Sequence, residues 1–354
     1  MKTVTSLLHM DMKTSIFAIF LLSLAITVSA QSRITEANYT DLSKRELSLK
    51  GYADSMINAQ NAGTRFRSDS IFVRNLVKAL QVQHSFDYAF DSIQSISRLY
   101  APDSSFRIFT WQLKKDEYFY YQKGAIQKKT KDGSLQLYPL FDASMFTAKP
   151  MDSVRSRRNW IGAIYYKVIQ KSWQGKNYYT LLGFDGFTVS SNRKWMEVLT
   201  FDEKTGEPMF GGPYFTVKPD TAKKAISPYR YLMEYKKEAS TTFNYNGEMD
   251  MIIFDHLISE SDEPHRPQTY IPDGDFEGFQ WKNGMWVHVN KVFTDVPDEF
   301  KKVDPLLGNA PAEEAIRDKD GNIDEKKLEE RSRQNDQKAK EKVKPKPKKP
   351  GGGQ

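Results

Sequence analysis

The sequence predicts an α+β protein: an N-terminal helical segment packed on a large, mostly meandering antiparallel β-sheet body, followed by a disordered C-terminal tail. Three observations support this prediction. Apolar residues recur every three or four positions up to residue 103, alternate with polar residues across 104–296, and become scarce across 297–354. The first spacing is typical of an amphipathic helix and the second of a half-buried strand. The charged, proline-rich end lacks the apolar surface that folding requires. We expect the helical segment, 31–103, and the β body to form one unit.

The first 30 residues have the composition of a secretory signal peptide. Lys13 precedes an apolar run of 13 residues, Ile16–Val28, and small side chains lead to Gln31. A charged start, a short apolar core and a small-residue exit are the marks of such a peptide. The run is too short to span a bilayer comfortably, and an N-terminal anchor is the alternative. We expect a mature chain that begins near Gln31 without a transmembrane segment, with translation starting at Met1 or Met12.

Charge and cysteine content narrow the class of protein. The chain has no cysteine, which excludes disulfides, thiolate metal sites, cysteine nucleophiles and a lipid-modified N-terminal cysteine. The net charge is +7, of which residues 1–30 carry +1 and residues 337–354 carry +6, so residues 31–336 are neutral. A neutral body predicts no general nucleic-acid-binding surface. Together with the signal peptide, these features predict a bacterial envelope protein in the periplasm or at the cell surface.

Two stretches predict helices. Glu36–Ala62 is rich in Ala, Leu, Lys and Glu. Ser68–Tyr100 carries apolar residues at spacings of three and four, which predicts one helix, or two with a break near Asp87, ending before Pro102 and packing on the sheet. The residues with this spacing are Phe72, Leu76, Ala79, Val82, Phe86, Ala89, Ile93, Ile96 and Tyr100.

The β body is organised around Tyr178–Gly212, which predicts three strands joined by two turns. In Arg193–Phe201, the residues Trp195, Glu197, Leu199 and Phe201 share one face of the strand, and Met196 and Val198 the other. Asn246-Gly247 and Lys282-Asn283-Gly284 predict hairpin turns. Glu260–Asp275 holds three prolines and is predicted as a loop, and Pro272–Gly278 as a turn before a strand. The predicted strands are Phe106–Leu113, Tyr118–Lys128, Leu135–Phe141, Ile161–Gln170, Tyr178–Asp185, Arg193–Phe201, Tyr229–Lys237, Ala239–Tyr245, Met249–Ser259, Phe276–Trp281 and Met285–Phe293.

A family resemblance rests on several of these segments, namely FRIFTWQL, YYTLLGFDG, KWMEVLTFD, EPMFGGPYF, MIIFDHL and YIPDGDFEGFQWKNGMWVHV. In order and spacing they resemble an uncharacterised secreted protein family of Bacteroidota, over roughly residues 60–295. The resemblance implies export and a single β-rich body. It implies no activity and assigns no catalytic residue, and the lysine- and proline-rich tail lies outside it.

Candidates for catalysis cluster between Asp255 and Glu277. They are Asp255, His256, His265, Asp273, Asp275 and Glu277, whose carboxylates and imidazoles are suited to general acid–base chemistry. A hydrolase acting on a glycan or peptide is therefore the alternative function. The sequence contains neither a G-x-S-x-G nucleophile elbow nor a phosphate-binding loop. Its carboxylates form no recognisable pair for glycoside hydrolysis.

We expect neither a metal nor another cofactor. His256 and His288 share strand faces with apolar residues, which favours histidines at the edge of the core. A site made of His256, His265 and Asp255 is the alternative, although no H-E-x-x-H spacing supports it. Asp318–Asp324 resembles part of a calcium loop but lacks the first aspartate and the final glutamate, which favours a solvated turn.

Aromatic residues at strand or loop positions favour a binding or structural module without enzymatic activity, and this is the leading interpretation. Accessible rings would stack on sugars or peptides, whereas a second packed sheet or helix would bury them. The rings in such positions are Tyr118, Tyr120, Trp173, Tyr214, Tyr229 and Trp281. Trp173, Tyr214 and Trp281 are the binding candidates.

The segment Lys338–Lys349 predicts contact with an anionic envelope polymer or lipid surface. Its lysines alternate with prolines, which keep a chain extended. Each lysine near an anionic membrane contributes roughly 1 kcal/mol. The alternative is that the tail serves only solubility.

Truncation at Lys301 should abolish binding to anionic vesicles, because the body that remains carries no net charge. The melting temperature should stay unchanged, because the tail is predicted to be disordered. Binding of the intact chain should weaken steeply with salt. Vesicle co-sedimentation across a salt series measures both effects. An intact chain that ignores anionic vesicles at low salt would show that the tail serves only solubility.

Overall fold

In a computed structural model of the chain, the structure describes residues 34–116, 119–218 and 224–293. The chain divides into one unit, Met1–Asn290, and a second, Lys291–Gln354, of which residues 291–293 are described. The described helices and strands all lie in the first unit. The predicted signal peptide, the calcium-like segment, the lysine-rich tail and Tyr118 lie outside the described residues.

Two consecutive helices, α1 (Glu36–Asn58) and α2 (Ala62–Leu80), pack on each other. The side chain of Thr35 caps α1 by accepting the N–H of Asn38, and that of Asn61 caps α2 by accepting the N–H of Thr64. Each helix buries one apolar stripe. The predicted helix at Glu36–Ala62 is therefore confirmed.

The rest of the unit is built mainly of strands. Within the described residues they are β1 (Ser97–Tyr100), β2 (Phe106–Lys114), β3 (Tyr120–Lys128), β4 (Gln136–Phe141), β5 (Arg155–Ser156), β6 (Ile164–Trp173), β7 (Lys176–Asp185), β8 (Ser191–Phe201), β9 (Pro208–Phe210), β10 (Phe215–Thr216), β11 (Tyr231–Lys236), β12 (Phe243–Asn246), β13 (Met251–Ser259), β14 (Tyr270–Lys282) and β15 (Met285–Val289).

These strands form three sheets. Sheet 1 has the order β1-β2-β3-β4, and sheet 3 the order β10-β15-β14-β13-β12. Sheet 2 has the order β5-β9-β8-β7-β6, with β11 also paired to β8. The pairing is antiparallel except between β10 and β15. The predicted fold class, an N-terminal helical segment and a large antiparallel β body, is confirmed; in the part of the chain that the structure describes, the segment consists of two helices, and the body of three sheets.

Three hydrophobic clusters separate four layers. The helices cover one face of sheet 1, where Phe72 packs edge-on against Trp111 at 5.5 Å. The other face of sheet 1 packs on sheet 2, and sheet 2 packs on sheet 3. Strand β8 shows why the order arises: Trp195 and Leu199 join the cluster with sheet 1, whereas Met196 and Val198 join the cluster with sheet 3. The predicted alternation of this strand is thus confirmed.

The predicted continuation of the helix to Tyr100 is wrong. Helix α2 ends at Leu80, a short 3-10 turn covers Ser85–Asp87, and β1 follows. Arg107 holds the irregular segment that follows the helix. Its guanidinium donates to the backbone oxygens of Tyr88 and Ser85 at 2.5 and 2.8 Å, so those carbonyls are not available to a helix. The apolar spacing continues because the irregular segment is still buried.

The predicted loop Glu260–Asp275 is too long, because β14 already begins at Tyr270. Pro272 lies opposite Leu257, and the pairing breaks between Leu257 and Asp255. The break is a β-bulge in which Gly274 takes a φ of 97°. The predicted turn at Pro272–Gly278 is therefore a bulge within one long strand. The two predicted hairpin turns, at Asn246-Gly247 and Asn283-Gly284, are both present.

A fully buried ion pair lies in sheet 2. Nε of Arg230 donates to Oε2 of Glu197 at 2.7 Å, and the two side chains are 0% and 2% exposed. Nη1 of Arg230 donates to the backbone oxygens of Pro150 and Ser153, and Nη2 to that of Phe210, at 2.7 to 2.8 Å. Tyr165 donates its hydroxyl to Glu197. Burial, and then the charge of Glu197, raise the pKa of that hydroxyl well above its ordinary value.

Replacing Phe86 by Ala should lower the free energy of unfolding by about 3–5 kcal/mol. Phe86 is 7% exposed, packs edge-on against Tyr100 at 5.4 Å, and lies 5.6 Å below the guanidinium of Arg107. Urea denaturation measures the change. The matched control is Phe146→Ala, because Phe146 is 86% exposed and should cost less than about 0.5 kcal/mol. Equal effects of the two substitutions would contradict the packing described for Phe86.

Candidate functional site

Three of the six predicted catalytic residues, Asp255, His256 and Glu277, line a cleft between β11 and sheet 3, which we call the acidic cleft. Its volume is about 350 Å³. The carboxylates of Glu234, Asp255 and Glu277 and the imidazole of His256 line it. The apolar part of the lining consists of Tyr231, Leu232, Met233, Phe254, Leu257, Pro264, Pro267 and Tyr270.

Four side chains at this cleft form a chain of acid–histidine contacts. Nδ1 of His256 lies 2.7 Å from Oδ2 of Asp273, and Nε2 of His256 lies 3.6 Å from Oε1 of Glu277. The second oxygen of Glu277 lies 2.6 Å from Nε2 of His288. The bulge in β14 brings these groups together, because it sets Asp273 beside His256. We call these four residues the acid–histidine chain.

The ends of this chain differ in their surroundings. His288 is 7% exposed; its ring stacks on that of Phe254 at a centroid distance of 6.0 Å and packs at a tilt against that of Phe279 at 5.2 Å. Its Nδ1 atom is buried without a hydrogen-bond partner. At the other end, burial raises the pKa of Asp273, but hydrogen bonds from the Asp275 backbone and from His256 outweigh it, so the pKa lies below its ordinary value.

The structure therefore brings three of the six predicted residues, His256, Asp273 and Glu277, into contact. Asp255 lines the cleft, but its carboxylate accepts the backbone N–H of Thr242 at 2.5 Å. Asp275 contributes its backbone N–H to Asp273, 3.0 Å away. His265 is exposed on the loop and does not line the cleft.

His288 belongs to the chain, although its alternation with apolar residues predicts only a place at the edge of the core. The contact between His288 and Glu277 follows from the register of β14 and β15, which the turn at Asn283-Gly284 fixes. This turn sets Lys282 opposite Met285, and hence Phe279 opposite His288. Glu277 is then the diagonal neighbour of His288 on the same face. Within the ranges that the structure describes, no group of three or more His, Asp or Glu side chains is placed to hold a metal ion.

A second, larger cleft lies between the start of β7 and the hairpin that joins β8 to β9. Its volume is about 780 Å³, and we call it the aromatic cleft. Tyr178, Tyr179, Phe201 and Tyr214 supply rings to its lining. The polar side chains of the lining are Lys176, Asn177, Thr200, Asp202, Glu203 and Lys204.

Two of the three predicted binding residues meet beside this cleft. The ring of Tyr178 lies 5.3 Å from that of Tyr214 and 5.7 Å from that of Trp281. Trp173 is 37% exposed and covers the neighbouring hairpin turn, where a Cβ on Gly284 would lie 2.6 Å from its indole. The structure thus joins Tyr214 and Trp281 through Tyr178, a ring that sequence alternation alone did not single out.

The other two rings of the prediction lie elsewhere. Tyr120 lies in β3, 5.4 Å below the ammonium of Lys237, and Tyr229 precedes β11 and donates its backbone N–H to Met151. Neither lines the aromatic cleft.

The polar groups of the aromatic cleft are held by neighbours. The hydroxyl of Tyr179 donates to Oδ2 of Asp103 at 2.6 Å, and the amide of Asn177 approaches the same oxygen at 3.5 Å. Burial raises the pKa of Asp103, but hydrogen bonds from Tyr179 and Ser105 outweigh it, so the pKa is lowered. Lys176 pairs with Glu203 at 2.5 Å. The lining therefore presents both hydrogen-bond donors and acceptors around the rings.

No protein-family model, curated protein or solved structure matches this chain. Among the described residues, no helix combines the length and the apolar character needed to cross a membrane. The geometry of the two clefts is accordingly the basis for assigning a function.

Proposed function

We propose that the chain is a non-enzymatic binding module that holds a carbohydrate in the aromatic cleft. The observation that carries this proposal is the lining of that cleft, in which several rings and side chains of both hydrogen-bonding types surround a volume of about 780 Å³. Ligand sites combine apolar and aromatic walls with a few polar groups that fix orientation.

The chemistry of the lining favours a carbohydrate over other small ligands. A sugar ring has C–H faces, which pack on Tyr178 and Tyr214, and hydroxyls, which both donate and accept hydrogen bonds. Asn177 and Thr200 supply both functions, and Asp202 and Lys176 supply one each. Because the lining carries both positive and negative side chains, it disfavours a ligand with a large net charge.

We also propose that the protein is exported and belongs with the secreted Bacteroidota family whose segments it resembles. The apolar run Ile16–Val28 and the small residues before Gln31 support export. N-terminal sequencing of protein from the envelope fraction tests it, with a start near Gln31 expected. A mature chain that retains Ile16–Val28 would contradict it. Contact of Lys338–Lys349 with an anionic surface remains a prediction tested by the vesicle experiment.

A hydrolase acting on a glycan or peptide is the second candidate, and one contact favours it. Asp273 holds Nδ1 of His256 at 2.7 Å on the wall of the acidic cleft. With a proton on Nδ1, Nε2 is left as a base that faces Glu277, a group able to donate or accept a proton. Turnover of chromogenic glycosides or peptides that His256→Gln abolishes would support this function. Equal turnover by the variant would count against it.

The substitution Tyr214→Ala should weaken carbohydrate binding at least about tenfold, which corresponds to about 1.4 kcal/mol. The reason is the loss of a ring that lines the cleft and orders Tyr178, while the backbone contact of residue 214 with Trp286 is retained. A glycan array identifies the ligand, and isothermal titration calorimetry then compares the variants.

The matched control is Tyr120→Ala, which removes a tyrosine outside the aromatic cleft and should leave the affinity unchanged. Binding that survives Tyr214→Ala would contradict the proposed site. If the chain binds no glycan but does bind members of a peptide library, the ligand of the aromatic cleft is a peptide and the carbohydrate proposal is wrong.

A further inference from the structure

We propose that the acidic cleft is a second binding site and that it takes an organic cation, such as an alkylammonium or guanidinium group. This inference stands apart from carbohydrate binding, because the two clefts have no lining residue in common. It rests on three observations. The acid–histidine chain has a net negative charge, the other carboxylates of the cleft already have partners that offset their charge, and aromatic rings surround Glu277.

The acid–histidine chain of Asp273, His256, Glu277 and His288 carries a net negative charge. His288 donates to Glu277 through Nε2, and its buried Nδ1 has no acceptor. A proton on Nδ1 of His288 would be a buried N–H without an acceptor, which is costly. Two carboxylates then face at most one imidazolium, that of His256. The chain keeps at least one net negative charge in either protonation state of His256.

Glu277 differs from the other carboxylates of the cleft in its partners. Glu234 accepts a hydrogen bond from Nε of Arg193 at 2.8 Å, and Asp255 accepts one from a backbone N–H. Asp255 also lies near Lys194: burial lowers the pKa of that ammonium, and the charge of Asp255 raises it by a smaller amount. In the described part of the chain, Glu277 pairs with two imidazoles, those of His256 and His288, and with no lysine or arginine. Glu277 is 16% exposed, so only part of its carboxylate is open to the cleft, and no lysine or arginine that the structure describes compensates its charge.

The walls of the cleft suit the rest of such a ligand. Among the described residues, no lysine or arginine lines the cleft, and Arg266 on the neighbouring loop is paired with Glu263 at 2.8 Å. The rings of Tyr231, Phe254 and Tyr270 line the space beside Glu277. Aromatic faces attract ammonium and guanidinium groups, more strongly where water is removed. Burial, and then the charge of Glu277, raise the pKa of Tyr231, so this residue contributes an uncharged ring and hydroxyl to the wall.

The size of the cleft fits a small organic cation rather than a bare metal ion. Its volume of about 350 Å³ exceeds what a single ion needs, and Leu232, Pro264 and Pro267 provide apolar contact for an alkyl or aryl group. We therefore assign the charged end of the ligand to Glu277 and its apolar end to the walls.

Calorimetric titration of the full chain with benzylamine, a cation near neutral pH, and with the neutral isostere benzyl alcohol tests the proposal. Benzylammonium should bind at least about tenfold more tightly than the alcohol. Glu277→Gln should remove this preference, lowering affinity for the cation and leaving affinity for the alcohol unchanged. His256→Gln should retain or strengthen cation binding, because it removes the one group able to offset the negative charge.

Two controls keep the test decisive. Glu260→Gln removes an exposed carboxylate that pairs with Lys236 outside the cleft, and should have no effect. If Glu277→Gln lowers the melting temperature too far for titration, Asp273→Asn serves instead. This variant should lose affinity for benzylammonium several-fold and keep its affinity for the alcohol. Equal binding of amine and alcohol by the wild-type chain, no binding of either at millimolar concentration, or an unchanged preference in Glu277→Gln and Asp273→Asn would overturn the proposal.

Discussion

The buried ion pair between Arg230 and Glu197 is the contact on which both clefts depend. Taking two charges out of water is costly, and only close geometry with additional hydrogen bonds offsets that cost. Arg230 meets this condition, since its donors reach one carboxylate and three backbone oxygens within 2.8 Å. Removing one partner of such a pair typically costs roughly 3–5 kcal/mol, because the other charge stays buried.

The partners of Arg230 explain how one side chain orders two sites. The carbonyls of Ser153 and Phe210 are followed by Val154 and Gly211, which line the aromatic cleft. Directly after Arg230 comes Tyr231, which lines the acidic cleft. The approach is close enough to require glycine at 211. Its φ is 78°, and a Cβ there would lie 2.8 Å from the backbone oxygen of Tyr229.

Much of this architecture could be predicted from the sequence, because strand periodicity is a local property. The two faces of β8 and the turn at Asn283-Gly284 follow from neighbouring residues alone. The irregular segment after α2 could not be predicted, since its carbonyls at Ser85 and Tyr88 accept hydrogen bonds from Arg107, about twenty residues later in the chain. The start of β14 was missed because prolines and glycine indicate a turn, and here they form a bulge within a strand.

The sites were only partly predictable for the same reason. His256, Asp273 and Glu277 were candidates as residue types, but the bulge that joins His256 to Asp273 is a tertiary feature. Likewise, the alternation of β8 placed Glu197 among core residues without indicating Arg230 as its partner.

Hydrogen exchange of the Arg230→Lys variant tests most directly the claim that this arginine orders both clefts. Lysine keeps the positive charge but has no planar fork with which to reach three carbonyls as well as Glu197. The amides of Gly211, Gly212 and Tyr229, which donate to Val198, Tyr229 and Met151, should exchange faster in the variant. The amides of β3 in sheet 1 should keep their wild-type rates. Unchanged exchange at Gly211, Gly212 and Tyr229, or an equal increase throughout sheet 1, would contradict the claim.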